Sequence, residues 1–197
     1  MKRHNIVHMA KRQATSRIIA GSYKGTKLSF KPNKNLRPTE SKTKETLFNW
    51  LLNDLHKKKC LDMFAGTGAL GLEALSRGAD EVVFFEKQKA LCGAIEVVVK
   101  KLGINNKCRV INANSTAFDF TKLNTKFDLI FLDPPFNEKK ISKIIYEIYN
   151  AKILEKNGIL IIHRKSNTND ELIPEYNVIE EKKYGISKII FGNYLKF

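Results

Sequence analysis

The chain has 197 residues, 43% of them hydrophobic and 10% aromatic, which suffices to bury one sizeable core with a small appendage and would crowd two full domains. Lys plus Arg number 35 against 20 Asp plus Glu, a formal charge of +15 that exceeds what solubility needs and has the sign that gathers polyanions. A nucleic acid is therefore the first partner to consider, with a chain-wide drift toward Lys and Asn as the competing explanation of the charge.

Cys60, Cys92 and Cys108 are widely spaced and odd in number, which argues against a disulfide framework. His4, His8, His56 and His163 form no ligand pattern with them, so no metal site is expected. No apolar stretch approaches the roughly 18 to 20 residues that cross a bilayer, and the N-terminal charges precede no apolar run. The expectation is a soluble, cytoplasmic protein.

Residues 1–16 carry Lys2, Arg3, Lys11 and Arg12 with little apolar periodicity and read as a basic arm. Arg17–Ala20 and Thr26–Phe30, set around Gly21 and Gly25, suggest a hairpin extension over 17–38. Thr39 is a candidate helix N-cap, followed by Leu47, Phe48, Leu51, Leu52 and Leu55 at helical spacing; from here to residue 197 the chain reads as one main domain. Apolar runs then alternate with helical patterns, the sequence form of a parallel sheet flanked by helices. Strands are predicted near Cys60–Phe64, Val82–Glu86, Arg109–Asn112, Phe127–Asp133 and Ile159–Arg164, with helices near Ala69–Ser76, Lys89–Lys101 and Lys139–Asn150. Val178–Lys183 and Lys188–Lys196 flank a turn at Tyr184–Ser187 and should pair antiparallel.

Two segments carry chemistry. In Leu61–Gly71 an apolar strand runs into a glycine-rich turn and a helix, and Gly66, Gly68 and Gly71 satisfy the GxGxxG spacing that lets backbone approach a ligand at a helix N-terminus. NAD-binding folds share that spacing, and Glu86, 20 residues after Gly66, can accept hydrogen bonds from ribose hydroxyls in either case. Asp62 separates the ligands: a carboxylate four residues before the first glycine can engage the amino-acid end of S-adenosylmethionine, whereas a pyrophosphate would be repelled there. An Asp62 that only braces the loop is the alternative.

The second segment, Leu129–Phe136, delivers Asp133, Pro134, Pro135 and Phe136 to the carboxyl end of a strand, where ligands bind in open α/β sheets. An exocyclic base nitrogen is a poor nucleophile because its lone pair is delocalised into the ring. Methylating it requires acceptors that hold the amine hydrogens and aim the nitrogen, and the Asp133 carboxylate and Pro134 carbonyl are suitable, with Phe136 a face for the extruded base. A strand-ending turn is the structural alternative for this tetrapeptide.

Together these segments resemble the class I amino-methyltransferases, and Arg37-Pro38-Thr39 with Lys44–Leu51 narrows the resemblance to the RsmD family of 16S rRNA guanine-N2 methyltransferases, from about Arg17 to the C-terminus. The resemblance implies a Rossmann-like α/β fold, a mostly parallel seven-stranded sheet with an antiparallel C-terminal hairpin and a small N-terminal β-hairpin extension. It implies that Asp62, Phe64, Gly66, Gly68, Gly71 and Glu86 serve S-adenosylmethionine and that Asp133 to Phe136 receive the target guanine. It also implies that the Arg37–Thr39 loop closes over the site, with Arg37 and Thr39 facing the substrate; a salt bridge at the helix start is the other role open to Arg37. Lys24, Lys27, Lys31 and Lys34 are candidate phosphate contacts, although hairpin lysines are more often simply solvated.

One position departs from the class pattern. Many class I enzymes hold the adenine amino group with an Asp after the third strand, whereas Val110–Ser115 offers Asn114, whose amide oxygen can still accept that bond. The expected partner is 16S rRNA or an assembling small subunit, and the expected state a monomer. The rival activities are a DNA adenine-N6 methyltransferase, disfavoured because no separate duplex-reading domain is evident, a protein glutamine methyltransferase, which needs no such charge, and a noncatalytic RNA-binding assembly factor. An NAD-dependent dehydrogenase leaves the Asp133–Phe136 segment without a role.

Overall fold

The computed structural model describes residues 15–29, 41–51, 55–169 and 172–195. The expected helix cap at Thr39, the Arg37–Thr39 loop, Lys31, Lys34 and most of the basic arm lie outside these residues. Seven strands form one sheet: β3 (Lys59–Asp62), β4 (Glu81–Glu86), β5 (Cys108–Asn112), β6 (Phe127–Leu132), β7 (Leu154–Lys165), β8 (Tyr176–Tyr184) and β9 (Ser187–Tyr194). Their spatial order is β5-β4-β3-β6-β7-β9-β8, parallel through β7 and antiparallel between β7, β9 and β8. The predicted class I arrangement is thus the observed one. A separate two-stranded hairpin, β1 (Thr15–Arg17) with β2 (Lys27–Ser29), is the N-terminal extension.

Strand residues alternate between two apolar layers, as a period of two requires. Cys60, Val82, Phe84, Leu129, Phe131, Ile161 and Ile189 face one layer, built with α1 (Ser41–Trp50), α2 (Ala69–Ser76) and α3 (Lys89–Leu102). Leu61, Val83, Phe85, Ile130, Leu132, Ile162 and Ile190 face the other, covered by α4 (Ile141–Asn150) through Ile141, Ile144, Ile145 and Ile148. Helix α4 begins two residues later than its pattern predicts, because Lys140 N–H is taken by the Glu138 side chain at 2.9 Å, outside the helix. Strand β7 begins five residues earlier than predicted: Leu154 pairs with Phe127, and the polar stretch Glu155–Asn157 lies in a register shift before Ile159 meets Leu129.

The extension is fastened by a buried polar knot. Glu73 of α2 is fully buried and its carboxylate accepts from Ile19 N–H (2.8 Å), Ala20 N–H (3.0 Å) and Arg77 Nε (2.9 Å). Lys44 of α1, also fully buried, places Nζ 3.8 Å from Glu73 and donates to the Arg17 carbonyl. Burial pushes the Lys44 pKa down, and the Glu73 charge opposes that shift. Gly21 turns the chain against the end of α2 with φ of 78°, and a Cβ there would lie 1.8 Å from the Ser76 carbonyl oxygen, so only glycine fits.

Candidate active site

The direction of the chain reverses around β3: β4 and β5 lie to one side, β6 and β7 to the other, which makes the carboxyl ends of β3 and β6 a topological switch point. Asp62 at the tip of β3 stands in register with Phe131 of β6 and Phe84 of β4, and Met63 N–H donates to the Phe131 carbonyl at 3.0 Å. The two segments that carry chemistry therefore meet at neighbouring strand tips.

On the glycine side, Gly66 (φ 54°) and Gly68 (φ 76°) adopt the left-handed backbone that lets the chain turn tightly into α2. Glu86, at the end of β4, accepts from Gly66 N–H at 2.9 Å through one oxygen and from Gln88 N–H at 2.8 Å through the other, so it shapes the turn. Asp62 is 1% exposed; its Oδ2 accepts from Gly71 N–H at 3.0 Å, and its Oδ1 has no hydrogen-bond partner among the described residues. Burial pushes the Asp62 pKa up to about 7, with the charges of Asp133 and Glu86 adding to the shift and the Gly71 and Phe64 N–H groups opposing it. An isolated buried carboxylate oxygen in that state is matched by a cation, and the ammonium of an amino-acid moiety has that charge.

The remaining glycine does other work. Gly71 lies inside α2 with its Cα against β4, where a Cβ would sit 2.3 Å from Phe84 Cε1, and its N–H is already committed to Asp62. That packing brings the helix close to the strand. Phe64 is half-buried beside the turn. Asn114 follows β5 with its side-chain oxygen engaged by Thr116 N–H (3.2 Å) and Thr116 Oγ1 (3.0 Å), a local turn that competes with any adenine contact. The adjacent Ser115, absent from the predicted set, is buried and donates to the Met63 carbonyl, tying the β5 tip to the β3 tip.

On the opposite side of the crevice Asp133 is partly exposed, Pro134 buried, Pro135 exposed and Phe136 partly buried. Two neighbours on β7 hold this segment, and neither emerges from the sequence reading. His163, 6% exposed, places Nδ1 2.7 Å from Asp133 Oδ1. Arg164, 2% exposed, donates to the carbonyls of Glu138 (2.9 Å) and Pro135 (3.5 Å), fixing the loop after the prolines. The available signal was a polar pair ending the apolar run Ile159–Ile162 on the strand that follows Asp133 in a parallel sheet.

The lysines proposed as phosphate contacts separate. Lys24 is exposed in the turn that packs against Ser76 at the C-terminal end of α2, about 10 Å along the helix from the glycine turn at its N-terminus. Lys27 is exposed on β2, opposite Arg17.

Compared with known proteins, residues 16–193 match the family model described as Conserved hypothetical protein 95. The chain belongs to this family. The protein named Ribosomal RNA small subunit methyltransferase D in Haemophilus influenzae is 37% identical over 175 residues, 86% of this chain and 89% of that protein. Its namesake in Escherichia coli K12 is 39% identical over 144 residues, 73% of this chain and 69% of its own. Among solved structures, the Escherichia coli methyltransferase yhhF aligns with a TM-score of 0.79 at 30% identity, covering 92% of this chain and 98% of its own. A Haemophilus influenzae methylase aligns with a TM-score of 0.76 at 33% identity, covering 93% of this chain and all of its own. Membership of the RsmD family and the methyltransferase fold agree with the resemblance carried by Arg37–Thr39, Lys44–Leu51 and Asp133–Phe136. No helix among the described residues is long and apolar enough to cross a membrane.

Proposed function

We propose that this chain uses S-adenosylmethionine to methylate the exocyclic N2 of a guanine in 16S rRNA, acting as a monomer in the cytoplasm on the assembling small ribosomal subunit. The reading is supported above all by the meeting of Asp62 and Asp133 at adjacent tips of β3 and β6. Relatives named as small-subunit rRNA methyltransferases and the charge of +15 point the same way. Asp62 Oδ1 would take the ammonium of the methyl donor, the Gly66–Gly68 backbone would cradle it, and Glu86 would hold its ribose. When bound, the donor supplies a methyl activated by sulfonium: the amine lone pair forms the N–C bond as the C–S electron pair returns to sulfur, and one N–H proton leaves.

The chain's own groups do the rest. Asp133 accepts one amine hydrogen, the Pro134 carbonyl accepts the other, and Phe136 provides a stacking face. Holding both hydrogens aims the nitrogen lone pair, so orientation supplies most of the acceleration, and Asp133 receives the released proton as the bond forms. Asp133→Ala tests the assignment: methyl transfer to unmodified small subunits should fall by about 100-fold or more, while affinity for S-adenosylmethionine is largely kept. Unchanged transfer by this variant would remove Asp133 from the reaction, and transfer by neither protein would favour a noncatalytic assembly factor.

A further inference from the structure

The amino ends of β3, β6 and β7 lie side by side at the end of the sheet opposite the crevice. The loops that enter these strands border an open cavity of about 600 Å³, with Lys57 before β3, Lys126 before β6 and Lys152 before β7 on its wall. All three lysines are exposed, and none forms an ion pair among the described residues. The other lining charges are largely spent on one another. Asp128 accepts from Lys58 Nζ at 3.2 Å and from Lys59 N–H at 2.9 Å, and Lys59 Nζ lies 3.8 Å from Glu81. Glu155 is the lining carboxylate left to oppose three unpaired cations.

The backbone of these loops carries a second observation. Lys57 (φ 61°), Asn124 (φ 42°) and Lys152 (φ 51°) are the non-glycine residues with left-handed backbone among the described residues, and all three line this cavity. Turns of this kind ordinarily take glycine, or asparagine as at position 124. Lysine at the other two costs backbone free energy and keeps a cation where glycine would supply none. A cation at Lys152 also suits the carboxyl end of α4, but that accounts for one lysine and not for the convergence of three. Flexible ammonium groups around an open wall match the charge of phosphates and lack the planar donor fork that would read a base.

We propose that this cavity is a second RNA contact, distal to the crevice, in which Lys57, Lys126 and Lys152 bind backbone phosphates of the rRNA substrate. The inference deepens the RNA-directed reading of the crevice and rests on it for the identity of the polyanion. Strand β6 has 6 residues, which sets the cavity about 20 Å from Asp133. A single nucleotide cannot bridge that distance, whereas a ribosomal subunit can meet both ends of the sheet. Phosphate contacts carry no sequence information, so the cavity contributes affinity and orientation for a large substrate, and the choice of base stays at the crevice.

The test uses the full chain with Lys57→Gln, Lys126→Gln and Lys152→Gln combined. A control removes three exposed lysines elsewhere, Lys100→Gln, Lys101→Gln and Lys183→Gln. Binding to unmodified 30S particles and to protein-free 16S rRNA is followed from about 50 to 200 mM salt. Loss of three phosphate contacts, at roughly 0.7 each on a single strand, should lower the slope of log affinity against log salt by about 2. Affinity at the lower salt should weaken on the order of 10-fold, and the control should keep the parental slope. In turnover, KM for 30S particles should rise on the order of 10-fold while kcat stays within about 2-fold, as expected when uniform binding is removed. Parental affinity for S-adenosylmethionine shows that the variant is folded. A parental slope in the cavity variant, or equal slope losses in both variants, overturns the proposal. A loss seen with 30S particles but not with protein-free rRNA also overturns it, because the surface would then meet a ribosomal protein. Binding needs no methyl transfer. A parent that transfers none, while the cavity variant alone loses slope, supports the proposal and counts against the methyltransferase reading.

Discussion

Replacing Asp62 by Asn should make the free protein more stable near pH 8 and less able to bind S-adenosylmethionine. In the fold the Asp62 pKa rises from 3.8 to about 7, mainly through burial. A rise of about three units corresponds to roughly 4 kcal/mol of preference for the protonated form, an upper value for what the charge costs the free fold. The sign follows from counting protons. Between pH 4 and 7 the unfolded chain has lost this proton while the folded chain retains it, so stability declines as pH rises through that window and stays at the lower level above it. Asn at this position carries no charge at any pH, and its amide oxygen can still accept from Gly71 N–H. Urea denaturation at pH 4 and pH 8 should therefore show the variant near parity at the lower value and more stable at the higher one. Binding should move oppositely. The ligand ammonium must meet an ionised Asp62, so parental affinity measured by calorimetry should weaken as pH falls from 7 to 5.5, while the variant binds weakly at both. A variant that binds like the parent and is less stable at pH 8 would show that Asp62 only braces the glycine turn.

Two further outcomes test the scaffold beneath the site. Gly71→Ala introduces a Cβ 2.3 Å from Phe84 Cε1, which should destabilise the fold by about 1–3 kcal/mol in denaturant melts. Pairing it with Phe84→Leu should restore part of that loss, and additive losses in the double variant would refute the packing explanation. Glu73→Gln keeps one acceptor oxygen where Ile19 and Ala20 N–H use two, and it leaves buried Lys44 without its counter-charge, so a loss of about 3–5 kcal/mol is expected. A change within measurement error would mean that the charge on Glu73 does not hold the extension.

What could be read from the sequence, and what could not, divides along physical lines. The runs Val82–Phe85 and Leu129–Leu132 are continuously apolar because both faces are covered, and Tyr184–Ser187 punctuates the last hairpin, so these elements were legible within a residue or two. The start of β7 was not, since Glu155, Lys156 and Asn157 are exposed strand residues lying in a register shift between the Leu154 and Ile159 pairs, against the apolar signal. The motif residues came together as spacing implied, because a strand–turn–helix fixes Asp62 and Gly66 locally and the parallel β3–β6 ladder brings Asp133 beside them. Contacts made only by tertiary packing were invisible. His163 is a lone histidine in sequence, and Lys44 and Glu73 look like charges for a wet helix face.

The central claim is tested most directly by incubating the protein with tritiated S-adenosylmethionine and unmodified 30S particles, then digesting the RNA and separating the nucleosides. Label is predicted in N2-methylguanosine of 16S rRNA, and absent when Asp133→Ala replaces the parent. Label in N6-methyladenosine, or label recovered only from a DNA or protein acceptor, would contradict the assignment.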